Sequence, residues 1–211
     1  MSENSKNKIL NSIAAVRTQR AAAIAVNSYP DSELYRPVEP DAVSCFKTEL
    51  ESISGSCILC KNEEDFSRKI KELLTEKHIE KLFCRDGSIA ELLSKHHIST
   101  TSDKNDFEPM EAGITGCEFL IARTGSVLVS SASLSGRQMH AFPPVHFIMA
   151  YQSQLLDYPE NALKAIQQKY GTKLPSAITT ITGPSRTADI EKTLVLGAHG
   201  PKELIVLLIE S

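Results

Sequence analysis

The final apolar segment of the chain, Glu203–Ile209, constrains the fold more than any other feature. Six consecutive apolar residues run from Leu204 to Ile209, without the alternation expected of a strand that has one face in water. Such a run is typical of a strand buried on both faces, as in the middle of a parallel sheet. It is far shorter than the ~20 residues of a membrane-spanning helix. We therefore expect a central parallel strand and no membrane insertion.

Further short apolar segments alternate with amphipathic helices along the chain. The sequence predicts strands at Ser56–Cys60, Lys81–Cys84, Phe119–Ala122, Ser126–Ser130, Val145–Ala150 and Ala177–Thr182. Apolar residues at helical spacing predict helices around Val43–Leu50, Phe66–Leu74, Ile89–Leu93 and Pro159–Gly171. Asn62 is the expected N-cap of the second of these helices, and Ser88 with Glu91 forms the expected capping box of the third. The alternation predicts a three-layer α/β/α protein with a mainly parallel sheet.

The N-terminal residues, 1–40, are expected to form an arm and a linker outside the α/β domain of residues 41–211. Ile9, Ile13 and Val16 recur at helical spacing, which predicts an arm helix from Lys8 to Val26 that packs on a partner surface, such as a second copy. Three prolines between Tyr29 and Pro40 mark the linker. The first residues lack the pattern of a secretory signal, so we expect a cytoplasmic protein.

The five cysteines do not form a recognisable disulfide or metal framework. Cys57 and Cys60 match C-x-x-C, but residues three apart on a strand point to opposite faces of the sheet. Neither Cys84 nor Cys117 supplies a second pair at zinc-site spacing. We expect buried thiols and no metal, cluster or other cofactor bound by this chain. The net charge of −3 gives no basic surface for nucleic acid.

Residues Gly183–Glu191, with the sequence GPSRTADIE, form the most informative segment. If a helix starts near Ser185 or Thr187, its amides, the Ser185 hydroxyl and the Arg186 guanidinium form an anion site at the helix N-terminus. The alternative is structural. Ser185 or Thr187 would then only cap the helix, while Asp189 and Glu191 complement its dipole.

Other loops carry polar groups that could join such a site. His199 lies between Gly197 and Gly200 and is a candidate for proton chemistry, as is His146. The carboxyl groups of Asp189 and Glu191 are possible acid–base groups as well. Arg137 supplies a second loop guanidinium. The turn Thr124-Gly125-Ser126 could bind a phosphate or carboxylate through hydroxyls and amides. Each of these segments could equally be a plain turn.

These motifs together resemble one family. Gly183–Glu191 followed by Gly197–Pro201 resembles the lactate-utilization protein C family, the LUD-domain proteins. Gly113–Cys117, Ile121–Ser126 and Pro144–His146 fit the same family in the same order. The resemblance covers the last hundred residues by motif and the first hundred by architecture.

The resemblance implies a fold similar to the NagB/ribose-5-phosphate isomerase/CoA-transferase-like group. It also implies a part in bacterial oxidation of L-lactate to pyruvate, as a cluster-free component beside iron–sulfur partner proteins, with a small anionic ligand. The alternative is an independent enzyme or binding protein for a phosphate-, carboxylate- or CoA-bearing ligand, resembling the CoA transferases or the formyltetrahydrofolate cyclo-ligases. A third interpretation is that these motifs only stabilise a scaffold. Arg123 stands where the family favours an acidic residue, and Glu118, the nearest candidate for a nucleophilic carboxylate, is expected to point along a buried strand.

Overall fold

The computed structural model describes residues 3–21, 37–190, 193–197 and 199–210. The chain divides into two units, Met1–Pro37 and Val38–Ser211. The first contains helix α1, Glu3–Ala21, on which Ile9, Leu10 and Ile13 are each about half exposed. The Val16 side chain and the rest of the expected arm and linker up to residue 36 lie outside the described part. None of the described helices is long and apolar enough to cross a membrane.

Among the described residues, the second unit has four α-helices: α2 Ala42–Ser52, α3 Glu63–Glu76, α4 Gly87–Lys95 and α5 Pro159–Tyr170. Asn62 caps α3, as predicted, by accepting a hydrogen bond from the Asp65 amide over 2.9 Å. The capping box predicted at Ser88 is wrong. Helix α4 begins at Gly87, and the Asp86 carboxylate before it accepts the Ser88 amide over 3.0 Å.

The strands form three sheets. The central sheet contains β1 Ser56–Cys60, β2 Leu82–Phe83, β3 Thr100–Thr101, β4 Ala112–Thr115, β7 Val145–Tyr151 and β12 Glu203–Ile209, in the order β1-β12-β7-β4-β2-β3. A second sheet contains β5 Phe119–Ile121, β6 Ser126–Ser130, β8 Leu155–Leu156 and β9 Ile178–Ile181, in the order β8-β5-β6-β9. Strands β10 Arg186–Ile190 and β11 Thr193–Leu196 form an antiparallel hairpin. The pairings within the central sheet are parallel.

Strand β12 is central and parallel, as predicted from its apolar run. It lies between β1 and β7. Ile205, Leu207 and Ile209 pack against the core below α3 and α4. The alternating residues Leu204, Val206 and Leu208 pack against α2 and the second sheet on the other face. The α/β class with a mainly parallel sheet is confirmed, and the layer on this second face consists of one helix and a small sheet, with α5 packed on that sheet.

The prediction of a helix that starts near Ser185 or Thr187 is wrong. Residues Arg186–Ile190 form β10, in which Arg186 pairs with Leu196 and Thr187 with Val195. The β-branched residues of both strands favour a hairpin, and the same Gly, Pro and Thr signals that precede a helix also precede a strand. Residue Glu191 and the Asp189 side chain lie outside the described part, so the roles predicted for them stay predictions.

The direction of chain connections changes between the carboxyl ends of two neighbouring strands. After β2 the chain enters α4, which packs on the first face of the sheet. After β4 it enters the second sheet, which packs on the opposite face. Connections that diverge in this way leave a crevice at the strand ends, the usual position of ligand sites in parallel α/β sheets.

Candidate functional site

Several of the predicted site residues gather at the carboxyl-terminal end of α2, in a region formed by Arg123–Ser126 and Thr182–Arg186 that we call the α2 clamp. The Arg186 guanidinium donates to the Ile53 carbonyl oxygen and, over 3.1 Å, to the Ser54 hydroxyl. Helix α2 ends at Ser52, and a cation near a helix carboxyl terminus is stabilised by the helix dipole. Arg186 therefore lies at the end of a helix, where it complements exposed carbonyl groups.

Two glycines let the clamp approach α2 closely. A Cβ added to Gly125, whose φ is +56°, would lie 2.2 Å from the Leu50 nitrogen. A Cβ added to Gly183, whose φ is +81°, would lie 2.7 Å from the Ile53 carbonyl oxygen. Side chains cannot be placed at either position without displacing backbone. These glycines thus serve packing between backbone segments.

Further polar side chains of the clamp pair within the protein, whereas the buried Thr124 hydroxyl has no hydrogen-bond partner among the described residues. Arg123 donates to Glu49 of α2 over 2.6 Å. The hydroxyls of Ser126 and Thr182 are 2.8 Å apart. Arg123 is thus used in an ion pair with α2.

The turn that carries His199 packs beside the clamp. The Ser185 amide donates to the Pro201 carbonyl, and the Gly197 amide donates to the Ser185 carbonyl, each over 2.8 Å. Gly200 packs on Ser185, while His199 is exposed. The Ser185 amide and the Arg186 guanidinium, two donors of the predicted anion site, therefore already have protein acceptors. Anion binding at Ser185–Thr187 stays a prediction without the helix on which it depended.

Arg137 and His146 lie elsewhere in the domain. Arg137 is exposed at the start of the short 3-10 helix Arg137–His140. His146 is the second residue of β7 and is completely buried.

The crevice at the strand ends, here called the strand-end crevice, contains two adjoining cavities of about 370 and 220 Å³ that share Asp86, Gly116 and Cys117. A volume of this order suits a small ligand. Its charged and polar lining side chains are Glu63, Asp86, Ser88, Glu91, Lys95, Glu118, Ser130, Ser133, Tyr151, Gln154, Lys169 and Tyr170. They come from the end of β7 and the segments that follow β2, β4 and β7 of the central sheet, from β6 and the loop after it, and from α3, α4 and α5.

Glu118 is the most highly connected group of the crevice. Glu118 is 6% exposed. One of its carboxylate oxygens accepts hydrogen bonds from Ser130 Oγ over 2.5 Å and Tyr170 OH over 2.7 Å. The other oxygen accepts from Lys169 Nζ over 2.7 Å. Burial would raise the pKa of Glu118, but the bonds from Lys169, Ser130 and Tyr170 together lower it below its ordinary value. Glu118 is thus an ionised, fixed carboxylate at the wall of a cavity.

The position of Glu118 differs from the one predicted from the sequence. Glu118 was expected to point along a buried strand, but it lies one residue before β5 and its side chain lines the smaller cavity. A polar residue after the end of strand β4 is a signal that could have identified it. Lys169 and Tyr170 come from α5, about fifty positions later in the chain. No local pattern links them to Glu118.

Two neighbouring groups of the crevice are held in their protonated forms. Burial, and next the charge of Glu118, raises the pKa of the Cys117 thiol to about 12. The thiol is therefore a poor nucleophile, although part of the residue is exposed. Tyr151 donates to Glu63 over 2.6 Å, and burial followed by this bond raises the pKa of Tyr151 to about 12. The crevice can offer carboxylate acceptors and neutral hydroxyl donors.

The cysteine pair behaves as the strand geometry predicted. Cys57 packs in the core on the second face of the central sheet and Cys60 in the core on the first face. Burial raises the pKa of Cys57 to about 12 and that of Cys60 to about 11. Across the described ranges, no group of three or more His, Cys, Asp or Glu side chains is placed to hold a metal ion.

The fold is that of an α/β protein with a mainly parallel central sheet, and the crevice is a candidate ligand site at the carboxyl ends of its strands. The family model of the LUD domain matches residues 43–209. The chain therefore belongs to the LUD domain family, as its motifs predicted.

Individual relatives agree with this assignment. The chain is 34% identical over 124 residues to an uncharacterized protein of Neisseria meningitidis, covering 59% of this chain and 52% of that protein. It is 35% identical over 104 residues to lactate utilization protein C of Bacillus subtilis, covering 48% of this chain and 43% of that protein. The chain thus spans about half the length of these curated relatives.

A solved structure supports the fold. The crystal structure of a DUF162 family protein from Deinococcus radiodurans matches with a TM-score of 0.61, covering 80% of this chain and 96% of that one. The sequence identity is 15%, so this similarity shows the fold alone.

Proposed function

We propose that this protein is a component of a bacterial lactate-utilization system. The observation that carries the proposal is its similarity to proteins named lactate utilization protein C, at 33–35% identity in Bacillus licheniformis and Bacillus subtilis. The LUD domain match spans residues 43–209, which include the whole strand-end crevice.

Within that system we assign this chain to the oxidation of L-lactate to pyruvate, beside partner proteins that carry iron–sulfur clusters. The placement of its own cysteines supports this division. Cys57 and Cys60 lie on opposite faces of a sheet, and burial raises the pKa of both thiols. A cluster needs several thiolates converging on one point. Electrons from lactate would therefore pass to a partner protein.

The strand-end crevice is the site that we assign to this function, with Glu118 as its principal polar group. Glu118 is nearly buried, ionised and fixed by three donors, so it is prepared to accept a hydrogen bond from a ligand. The lining carboxylates Glu63, Asp86, Glu91 and Glu118 outnumber the ammonium groups of Lys95 and Lys169. This balance disfavours anionic ligands in general, the carboxylate of free lactate as well as phosphate or CoA, so we assign the crevice to contact with a neutral or protonated group of a ligand or partner rather than to binding of free lactate.

Growth of a deletion strain of the source bacterium tests the proposal. We expect the strain to grow on pyruvate but not on L-lactate, and the full-length gene to restore growth on L-lactate. Glu118→Gln should fail to restore it at normal protein levels. Glu160→Gln serves as the control, because Glu160 is half exposed on the same helix as Lys169 and pairs with Lys164. Unimpaired growth of the deletion strain on L-lactate would refute the role.

Purification of the native complex tests the partners separately. We expect the tagged full chain to co-purify anaerobically with iron-containing proteins from lactate-grown cells. Recovery of the chain without iron, in a strain that needs it for growth on L-lactate, would retain the metabolic role and refute the iron–sulfur partnership.

A further inference from the structure

The segment between β6 and β7 presents large hydrophobic side chains to solvent. Among the described residues of the second unit, the most exposed large hydrophobic residues are Leu134, Phe142, Leu163 and Leu174. Leu134 is 73% and Phe142 is 61% exposed, more than the other two, and both belong to this segment. Single exposed hydrophobic residues are ordinary, whereas a group of them marks an interaction surface.

Phe142 is held in place by a column of aromatic rings that reaches into the core. Its ring centroid lies 5.4 Å from that of Phe107. The Phe107 ring in turn lies 5.5 Å, edge to face, from the ring of the fully buried Phe83. The Arg85 guanidinium lies 4.8 Å from the centroid of Phe107 and 5.5 Å from that of Phe83. A side chain fixed in this way loses little further freedom on binding, so Phe142 is suited to anchor a partner.

Two guanidinium groups accompany these hydrophobic residues. Arg85 donates to Gln138 over 3.2 Å, and the neighbouring residue in the chain, Arg137, is exposed. The other arginines whose side chains are described bind a carboxylate or the end of α2. No carboxylate among the described residues pairs with Arg85 or Arg137. We call this surface the Phe142 patch, formed by Arg85, Phe107, Leu134, Arg137 and Phe142.

The charge of the Phe142 patch indicates what covers it. Residues 131–142 contain no aspartate or glutamate, although these account for 26 of the 211 residues of the chain, so the patch is positive in a protein of net charge −3. Glu108 follows Phe107 and is exposed, but it pairs with neither guanidinium. Interfaces bring opposite charges together. A second copy docked patch to patch would instead bring the guanidiniums of both copies together, so an acidic surface of a different protein is the complement.

We propose that the Phe142 patch docks an acidic segment of a partner protein. Apolar side chains of that segment cover Phe142 and Leu134, and its carboxylates pair with Arg85 and Arg137, since arginine binds carboxylates through two parallel hydrogen bonds. Leu134 also lines the smaller cavity of the strand-end crevice, so a partner seated on the patch reaches the rim of that cavity. The assignment of this partner to lactate utilization rests on the proposed function, whereas the surface itself does not.

Photo-crosslinking in lactate-grown cells tests the surface with the full chain. With p-benzoylphenylalanine in place of Phe142, we expect an adduct with another protein, in which mass spectrometry locates the crosslink within a segment rich in Asp and Glu. The same probe in place of Lys71 should not give this adduct, because Lys71 is exposed on α3, which packs on the first face of the sheet. Absence of an adduct, an adduct with a second copy of the chain, or a crosslinked segment without acidic residues would overturn the proposal.

Charge reversal gives the matched mutational test. Arg137→Glu should lower the yield of the adduct about tenfold, because it places a carboxylate against carboxylates, whereas Lys71→Glu should leave the yield unchanged. Leu134→Ser should also lower it, and Leu163→Ser, at a half-exposed leucine of α5, should not. A parent-like yield in both Arg137→Glu and Leu134→Ser would refute the surface. Growth of the deletion strain on L-lactate would refute the proposed function alone, because the adduct and its dependence on Arg137 are measured independently of growth.

Discussion

The α2 clamp and the strand-end crevice are both rich in polar residues that follow strands, yet their side chains serve different ends. In the clamp, Arg186 and Arg123 point to backbone and carboxylate partners on α2. The glycines of this region remove side chains so that backbones can touch. In the crevice, Glu118 and its three donors line an open cavity.

This difference shows what a dense motif can mean. Glycines with positive φ and a nearby arginine are as suitable for closing two backbone segments as for surrounding an anion. The buried carboxylate of the crevice has no such local signature, because its partners come from distant elements. The variants below separate the two regions, since clamp variants should change stability and crevice variants should change function.

The largest expected effect is on the clamp, at Gly125. In Gly125→Ala the new Cβ would meet the Leu50 nitrogen at 2.2 Å, and the residue would also have to keep φ at +56°. Overpacking costs about 1–3 kcal/mol, and a left-handed conformation adds roughly 1–2 kcal/mol. We expect the free energy of unfolding in urea to fall by about 2–5 kcal/mol. Gly87→Ala is the control, because a Cβ there meets nothing within 4 Å. A Gly125→Ala variant as stable as the parent would show that the clamp and the backbone of α2 are not closely packed at this position.

At the crevice, Glu118→Gln should cost less stability but remove function. The amide keeps the shape and still accepts a hydrogen bond, but Lys169 loses its charge partner. Disturbing one hydrogen-bonded buried group costs about 1–3 kcal/mol. We expect a modest fall in melting temperature together with loss of growth on L-lactate. A variant that loses stability and keeps full function would place Glu118 with the clamp residues as structural.

Features that depend on residues close together in the sequence could be predicted, whereas contacts between distant elements could not. The apolar run of β12 and the Asn62 cap depend on neighbouring residues, and both were predicted correctly. The start of β10 was predicted as the start of a helix. That prediction is wrong because a segment such as Gly183-Pro184, followed by Ser and Thr, precedes helices and β-hairpins alike. The contact of Glu118 with Lys169 and Tyr170 depends on how α5 packs against the second sheet. A single sequence carries no pattern for such a contact.

The loss of unfolding free energy at acidic pH should distinguish the two regions further. The pKa of Glu118 in the folded protein lies below that of the unfolded chain, so in that interval the unfolded state binds more protons. Stability from this residue is therefore present at neutral pH and is lost as pH falls through the folded pKa, by at most about 1.4 kcal/mol per pH unit. Unfolding measured between pH 6 and pH 3, a range of roughly the usual Glu titration, should show a shallower acid loss in Glu118→Gln. Arg186→Ala should keep the parent slope. Identical slopes in all three proteins would contradict the ionised network.

The smallest effect is expected for Arg186→Ala, and it decides what the clamp arginine does. Arg186 is largely exposed, and its bonds go to the Ile53 carbonyl and the Ser54 hydroxyl at the end of α2. A cation at a helix carboxyl terminus contributes about 0.3–1 kcal/mol. We expect a fall of that order in the free energy of unfolding, partial recovery in Arg186→Lys, and unchanged affinity for sulfate and for lactate. The anion-site hypothesis expects the opposite, because loss of a charge-assisted bond of roughly 1.5–3 kcal/mol would weaken anion binding about tenfold or more. Parent-like stability combined with weakened sulfate binding would therefore restore Arg186 as an anion ligand and show that its bond to α2 is incidental.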